Sequence, residues 1–323
     1  MGSPIFRRFL PDPYIIAILA SVALAMLLPV HGSAVAPFSL ATKLAVALLF
    51  FLYGARLPRE VVIAGLVRCR LHLLTLSITF VLFPLLSLAW PLLPSWLLAP
   101  SLVAGVTYLC CLPSTIQSSV ALVASARGDV AAAVCSASGS NLLGVVLSPL
   151  LVGLLMHAQG GHVSVDAVRG IVLQLLAPFV VGQIVHPWVG PVLARVKDRL
   201  VYYDRLTIMM IVYGAFSAAV IGGIWRQVTP AHLLALTGLC GALVALIMTI
   251  CIRSARAAGF STEDEIVVAF CGTQKGLAAG VPMASLIFAP AQVGLILLPI
   301  LIYHPLQLMT CAVMAGQYAR RSA

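Results

Sequence analysis

Charge is scarce in this chain. Charged residues make up 9% of its 323 positions, and only 9 of them are acidic. A soluble domain carries about 25% charge. Together with 62% hydrophobic residues and a mean hydropathy of +1.10, that scarcity excludes a water-soluble globule and indicates a polytopic helical membrane protein. The apolar runs are continuous and do not alternate, which excludes a transmembrane β-barrel. There is no Walker A loop, no dinucleotide-binding glycine fingerprint and no HExxH helix. An ATP-driven pump therefore has no machinery here. An intramembrane enzyme would need an acid, base or nucleophile set in the apolar core, and no Asp or Glu lies there. The eight cysteines (Cys69, Cys110, Cys111, Cys135, Cys240, Cys251, Cys271, Cys311) form no CxxC pair. They read as small buried hydrophobes, neither disulfides nor metal ligands. His157 and His162 share a loop, but with no cysteine nearby they make a poor zinc site.

What charge there is leans basic, with 19 Lys and Arg against 9 Asp and Glu. The net charge is +10. The basic residues flank apolar segments, as the positive-inside bias predicts, so nucleic acid is not the partner and the bilayer is. Arg7-Arg8, an apolar run and Ala34-Val35-Ala36 imitate a cleavable signal peptide. Removing that run would break the pairing of halves described next, so it is read as a retained segment.

Ten apolar segments follow in order, at about 14–30, 40–54, 71–90, 101–123, 130–156, 168–185, 206–224, 232–252, 266–288 and 293–315. An even count puts both termini on one side. The connections on that side carry Arg56, Arg59, Arg68, Arg70, Arg127, Arg195, Lys197, Arg199, Arg205, Arg253 and Arg256; the other side has Arg226 and Arg169 at segment edges. Both termini are thus expected in the cytoplasm, in a cell (inner) membrane.

The ninth segment carries Thr273-Gln274-Lys275-Gly276 and Gly280-Val281-Pro282 at its middle. A lysine at membrane depth costs about 2.5–3.5 kcal/mol even on lenient scales. Glycine and proline together make a continuous helix there hard to hold. A broken helix whose unwound backbone lines an enclosed cavity satisfies both facts. The fourth segment has a matching interruption, Pro113-Ser114-Thr115-Ile116-Gln117-Ser118-Ser119. Laying Gln117 on Gln274 gives an interval of 157; Tyr53-Gly54-Ala55 recurs as Tyr213-Gly214-Ala215 at 160. Similar intervals near half the chain length indicate a duplication. Five segments per half is odd, so the halves, 1–156 and 157–323, are expected to be inverted, the architecture of secondary transporters.

Lys275 near mid-depth is the strongest candidate. It serves as a fixed counter-ion, or gains and loses a proton during transport. Lys43, near a segment start, reads as a snorkelling lysine. Gln117, Ser118, Ser119, Gln274, Ser114, Thr115 and Thr273 are oxygen and amide groups that satisfy freed backbone and equally serve a substrate. In the fifth segment Asn141 is the most suggestive, because a buried amide needs several partners. Ser138, like Ser136 and Ser140, reads equally as packing. Thr79, shortly before Pro84, is a weaker candidate.

Leu10-Pro11-Asp12-Pro13-Tyr14, Leu112-Pro113-Ser114-Thr115-Ile116-Gln117-Ser118-Ser119 with Ala126-Arg127-Gly128-Asp129, and Phe270-Cys271-Gly272-Thr273-Gln274-Lys275 resemble the bile acid–sodium symporter family. More narrowly they resemble its symporter-like, CPA-type branch with bacterial and eukaryotic members. The resemblance spans nearly the whole chain. It implies a panel domain (segments 1, 2, 6, 7) and a core domain (3–5, 8–10) in which broken helices four and nine cross. It also implies transport of organic anions with sodium. The departures fall on the sodium ligands. A family glutamate is matched by Phe270, an asparagine beside Gln274 by Lys275, a Ser-Asn pair by Ser118-Ser119, and two hydroxyl ligands by Ala133 and Ala137. The expectation is a non-enzymatic secondary transporter of a small organic anion, with no cofactor, no metal site and H+ as an alternative to Na+. A membrane sensor on a transporter scaffold is the second reading; fold alone does not fix function.

Overall fold

The computed structural model describes residues 13–56, 68–158, 172–223 and 228–321. The start of the Leu10–Tyr14 motif, Arg59, the His157–Asp166 loop in large part, Arg169 and Arg226 lie outside the described residues. The chain is helical throughout, with no strand among the described residues. Its helices are α1 (Pro13–Leu27), α2 (Val35–Arg56), α3 (Cys69–Leu92), α4 (Pro100–Cys111), α5 (Gln117–Ser125) and α6 (Val130–Ala158). After a π-helical turn at Val172–Leu176 come α7 (Ala177–Arg195), α8 (Lys197–Ile221), α9 (Pro230–Ala257), α10 (Thr262–Thr273), α11 (Leu277–Ile287) and α12 (Pro290–Arg321). Among the described residues eight spans are long and apolar enough to cross a membrane, α10 and α11 counting together as one; α1 and α4 are shorter apolar helices. This is an integral multi-pass membrane protein. Leu19, Leu24, Leu44, Leu154, Ile184 and Leu234 stand on its outside, as a surface facing acyl chains requires.

Two interruptions organise the interior. The first runs through residues 112–116, between α4 and α5; the second through 274–276, between α10 and α11. Ser118, Ser119 and Gly272 are already helical, so both breaks are narrower than the polar runs suggest. Proline explains the first: Pro113 donates no N–H and holds Leu112 extended, at φ −77° and ψ 151°. α5 and α11 begin at Gln117 and Leu277, 160 residues apart. That is the interval of the Tyr-Gly-Ala repeat, not the 157 that lays Gln117 on Gln274. Ser114 is therefore the residue opposite Gln274. The two breaks touch: the Gly276 N–H donates to Pro113 O at 2.7 Å. A Cβ on Gly276 would sit 3.0 Å from Ser114 O.

Side-chain bonds hold each break open. Ser114 N–H donates to Ser140 Oγ at 3.0 Å, and Asn141 Nδ2 donates to Ser114 O at 2.7 Å. Tyr303 and Gln307 of α12 do the same for the second break, by way of Thr273 O and both backbone groups of Lys275. α3 to α6 pack with α9 to α12 around this crossing, while α1 packs on α8 and α2 on α7 and α8. On the side of α3 to α6 and α10, Arg68 bridges Asp129 at 2.8 Å and Asp264 at 2.6 Å. Glu265 accepts from Arg256 and Tyr318. Arg127 takes the left-handed conformation, φ 62°, in the tight turn that precedes α6.

α2 and α7 cross with reciprocal glycines. A Cβ on Gly54 would collide with Phe179 O, and one on Gly182 with Phe51 O. Small residues let transmembrane backbones approach this closely. Gly54→Val and Gly182→Val are each expected to lower the unfolding midpoint in detergent, with overpacking costs of about 1–3 kcal/mol. Gly316→Val, where a Cβ meets open space, is expected to leave it unchanged.

Candidate functional site

The geometry around Lys275 begins with a fault in α3. Residues Ile78–Leu82 form a π turn, and the Phe83 N–H reaches back to Ile78 O. In that register Thr79 O would accept from residue 84, which is proline and has no N–H. Thr79 O is thus left free. Cys110 O and Leu112 O are freed by the break after α4. Lys275 Nζ donates to all three, at 3.0 Å to Thr79 O, 3.1 Å to Cys110 O and 2.7 Å to Leu112 O. The ammonium also lies 3.8 Å from the centroid of the Phe83 ring. Its three donors are thereby matched by three acceptors. The carbonyl end of α4 carries the negative pole of that helix, and a desolvated cation–π contact adds about 2 kcal/mol or more. Lys275 is 0% exposed.

Beside it lies a cluster of hydroxyls. Gln274 Oε1 accepts from Ser118 Oγ at 2.6 Å, from Ser119 Oγ at 3.0 Å, and from Thr115 Oγ1. Ser114 Oγ contacts Ser119 Oγ at 3.4 Å. These bonds tie α5 to the second break.

On the other side of the cluster opens a cavity of about 740 Å³. Thr115, Gln117 and Ser118 reach it from the start of α5, and Gly276, Leu277 and Ala278 from the start of α11. Asn141 and Ser138 line it from α6. Its far wall comes from α1, α2, α7 and α8, with Phe50, Tyr53, Phe179 and Ile208 giving an apolar surface. Its charged groups are Arg56, Asp204 and Arg205. Arg56 grips Asp204 through two bonds, of 2.9 and 3.0 Å. The Arg205 guanidinium stacks over Tyr14, 5.0 Å from the ring centroid. In each half-helix the first backbone bond runs from the fourth residue, Val120 to Ile116 O and Gly280 to Gly276 O. The preceding helical N–H groups have no acceptor within the helix, and the positive pole of each helix faces the cavity.

The sequence candidates separate into groups. Ser114, Thr115, Gln117, Ser118, Ser138 and Asn141 line the cavity. Ser119 and Gln274 sit just behind, fully buried. Thr273 is turned away, toward Met248 Sδ and Cys251 Sγ at 3.8 and 3.7 Å. Thr79 matters through its carbonyl; its hydroxyl is returned to Thr75 O. Lys275 does not line the cavity: the free carbonyls draw the ammonium inward. Arg56, Asp204, Arg205, Tyr53, His304 and Gln307 were not singled out. The visible signals were the ionic pair Asp204-Arg205 at a segment edge and the run Tyr303-His304-Pro305-Leu306-Gln307 inside an apolar segment.

The positions that the family resemblance assigns to sodium bring little oxygen. Phe270 is buried against Tyr318, and Ala133 and Ala137 are buried and bring no side-chain oxygen. The carbonyls that converge already hold an ammonium. Among the described residues no group of three or more His, Cys, Asp or Glu gathers to hold a metal.

The model of the SBF-like CPA transporter family matches residues 12–320. An uncharacterized protein of Pseudomonas aeruginosa is 49% identical over 97% of this chain and 95% of its own length. The putative symporter YfeH of Escherichia coli is 44% identical, over 96% and 94%. Sodium/bile acid cotransporter 7 of Xenopus tropicalis is 27% identical, over 96% and 92%.

Lys275→Met is expected to leave the three carbonyls buried and unpaired, at about 1–3 kcal/mol for each group that finds no water. Its unfolding midpoint falls well below wild type. Thr79→Val removes only the hydroxyl that bonds its own helix and stays within a few degrees. Thermal unfolding of the detergent-solubilised variants checks both.

Proposed function

The chain belongs to the SBF-like CPA transporter family, and from that premise we propose that it is a secondary-active transporter moving a small organic anion by alternating access. It is a transporter and not an enzyme. Ten transmembrane segments form two inverted five-helix halves, α4 with α5 and α10 with α11 each making one broken segment. α1, α2, α7 and α8 are the panel; the remaining helices are the core. Both termini face the cytoplasm of a cell (inner) membrane. The packing of α1 with α8 and α2 with α7 supports the panel. The 160-residue spacing of the half-helix starts supports the repeat.

One observation carries the cargo assignment: two half-helix N-termini converge on one cavity between panel and core, with Arg205 on the facing wall. Such termini offer free N–H groups and a positive pole to an anion. The apolar wall of Phe50, Tyr53 and Phe179 takes the organic part. The anion meets these N–H groups, the hydroxyls of Thr115 and Ser118, and the Asn141 amide.

Lys275 performs the electrostatic task a coupling sodium would perform. It sets a positive charge where the carbonyl end of α4 meets the second break, with no acid beside it. Transport is therefore independent of sodium; dependence on a pH gradient follows only if the ammonium releases its proton during the cycle.

Electrometry on proteoliposomes, with sodium and proton gradients imposed separately, tests the reading. Matched organic anions and cations are offered in turn. Anion-driven currents without sodium, lost in Lys275→Gln protein that remains monodisperse, are the expected result. Stoichiometric sodium dependence, or preference for the cation, would contradict it.

A further inference from the structure

Gln307 of α12 holds both polar groups of the unwound Lys275 peptide. Lys275 N–H donates to Gln307 Oε1 at 2.8 Å, and Gln307 Nε2 donates to Lys275 O at 3.0 Å. This double bond pattern fixes which end of the amide is nitrogen. The Nε2 group has two hydrogens. The second points at His304 Nδ1, 2.9 Å away. A hydrogen on that ring nitrogen would oppose the hydrogen of Nε2. His304 Nδ1 is therefore an acceptor, and a neutral His304 carries its proton on Nε2. Gln307 is 0% exposed, and His304 lines the cavity opposite the start of α11.

We infer that His304 and Gln307 are positioning residues that tie the cargo cavity to the Lys275 peptide: Gln307 clamps the unwound backbone only while His304 Nδ1 is unprotonated. The inference rests on the reading of the cavity as the cargo site. A proton arriving at Nδ1 turns the acceptor into a donor, and the Nε2–H group loses its partner. Gln307 then has to rotate, and the rotation releases one or both bonds to Lys275. The peptide that aims the Lys275 side chain at the α4 carbonyls is freed with it.

The groups that share the cavity with His304 are Tyr14 from α1, Tyr53 and Arg56 from α2, and Asp204 and Arg205 from α8. From the protein side comes the Lys275 peptide, reached through Gln307. Asp204 is held by Arg56, which leaves the Arg205 charge facing the cavity.

Hydrogen–deuterium exchange of the full chain in detergent tests this without any cargo. The Lys275 amide is followed in overlapping peptides, with labelling times scaled to the intrinsic exchange rate at each pH. In the wild type, protection of that amide is expected to fall at least tenfold from pH ~8 to pH ~5. His304→Asn keeps an acceptor oxygen near the place of Nδ1 and does not titrate; it should stay protected at both pH values. His304→Phe and Gln307→Leu should be unprotected at both. If Gln307→Leu does not fold, His304→Phe, which leaves Gln307 in place, carries the same expectation. Wild-type protection that does not change with pH would overturn the inference, as would His304→Asn behaving like His304→Phe. Exchange reports the clamp whether or not any anion is carried, so a failed transport reading and a failed clamp give different results.

Discussion

A carbonyl freed from its helix inside a membrane must find a donor, because hydrocarbon offers none. Three such carbonyls, from Thr79, Cys110 and Leu112, converge on one point where α3 and α4 meet the second break. The Lys275 ammonium answers all three. The unwound backbone of the first break is in this way stabilised by a side chain from the second. Remove the ammonium and the break between α4 and α5 has unpaired acceptors at its entrance. Remove the break and a buried ammonium has no partners, a burden of several kcal/mol after relaxation. Each makes the other tolerable.

The same crossing has a second face. Where the carbonyl end of α4 gathers a cation, the N-terminal ends of α5 and α11 point the opposite charge preference into the cavity. Broken helices place a negative pole and a positive pole within a few residues of each other, and the hydroxyls bonded to Gln274 hold them in register. The cavity and the ammonium site are thus adjacent but distinct. Lys275 supports the crossing without lining the cavity, and the cavity's own basic groups come from α2 and α8.

Much of this was legible in the residues. Helical class, apolar spans and both interruptions follow from composition and from glycine, proline and lysine inside apolar runs. The direction in which Lys275 points did not. A polar residue at mid-depth reads as a ligand for cargo, whereas the deciding fact is the proline at 84, which strips the Thr79 carbonyl of its donor in a π turn. No periodicity announces a π turn. Phe50, Tyr53 and Phe179 stayed hidden because an aromatic in an apolar helix looks the same whether it faces lipid, core or cavity. His304 and Gln307 were visible as polar residues, but their meaning depends on the pairing of α12 with the Lys275 peptide. That pairing is long-range and has no local signal. The interval of 157 rests on a short likeness of letters; the starts of α5 and α11 stand 160 apart.

The central claim is that a cation is required at the α4 carbonyls and that Lys275 supplies it. Truncating the side chain leaves room for a small cation from solution. The direct measurement is the unfolding midpoint of Lys275→Ala and wild type in matched chloride salts of methylammonium, potassium, sodium and choline. The account predicts a saturable rise for the variant with methylammonium, or with a small metal cation, and none with choline, while the wild type is indifferent to all. A variant equally stable in every salt, or a wild type stabilised saturably by sodium, would contradict it.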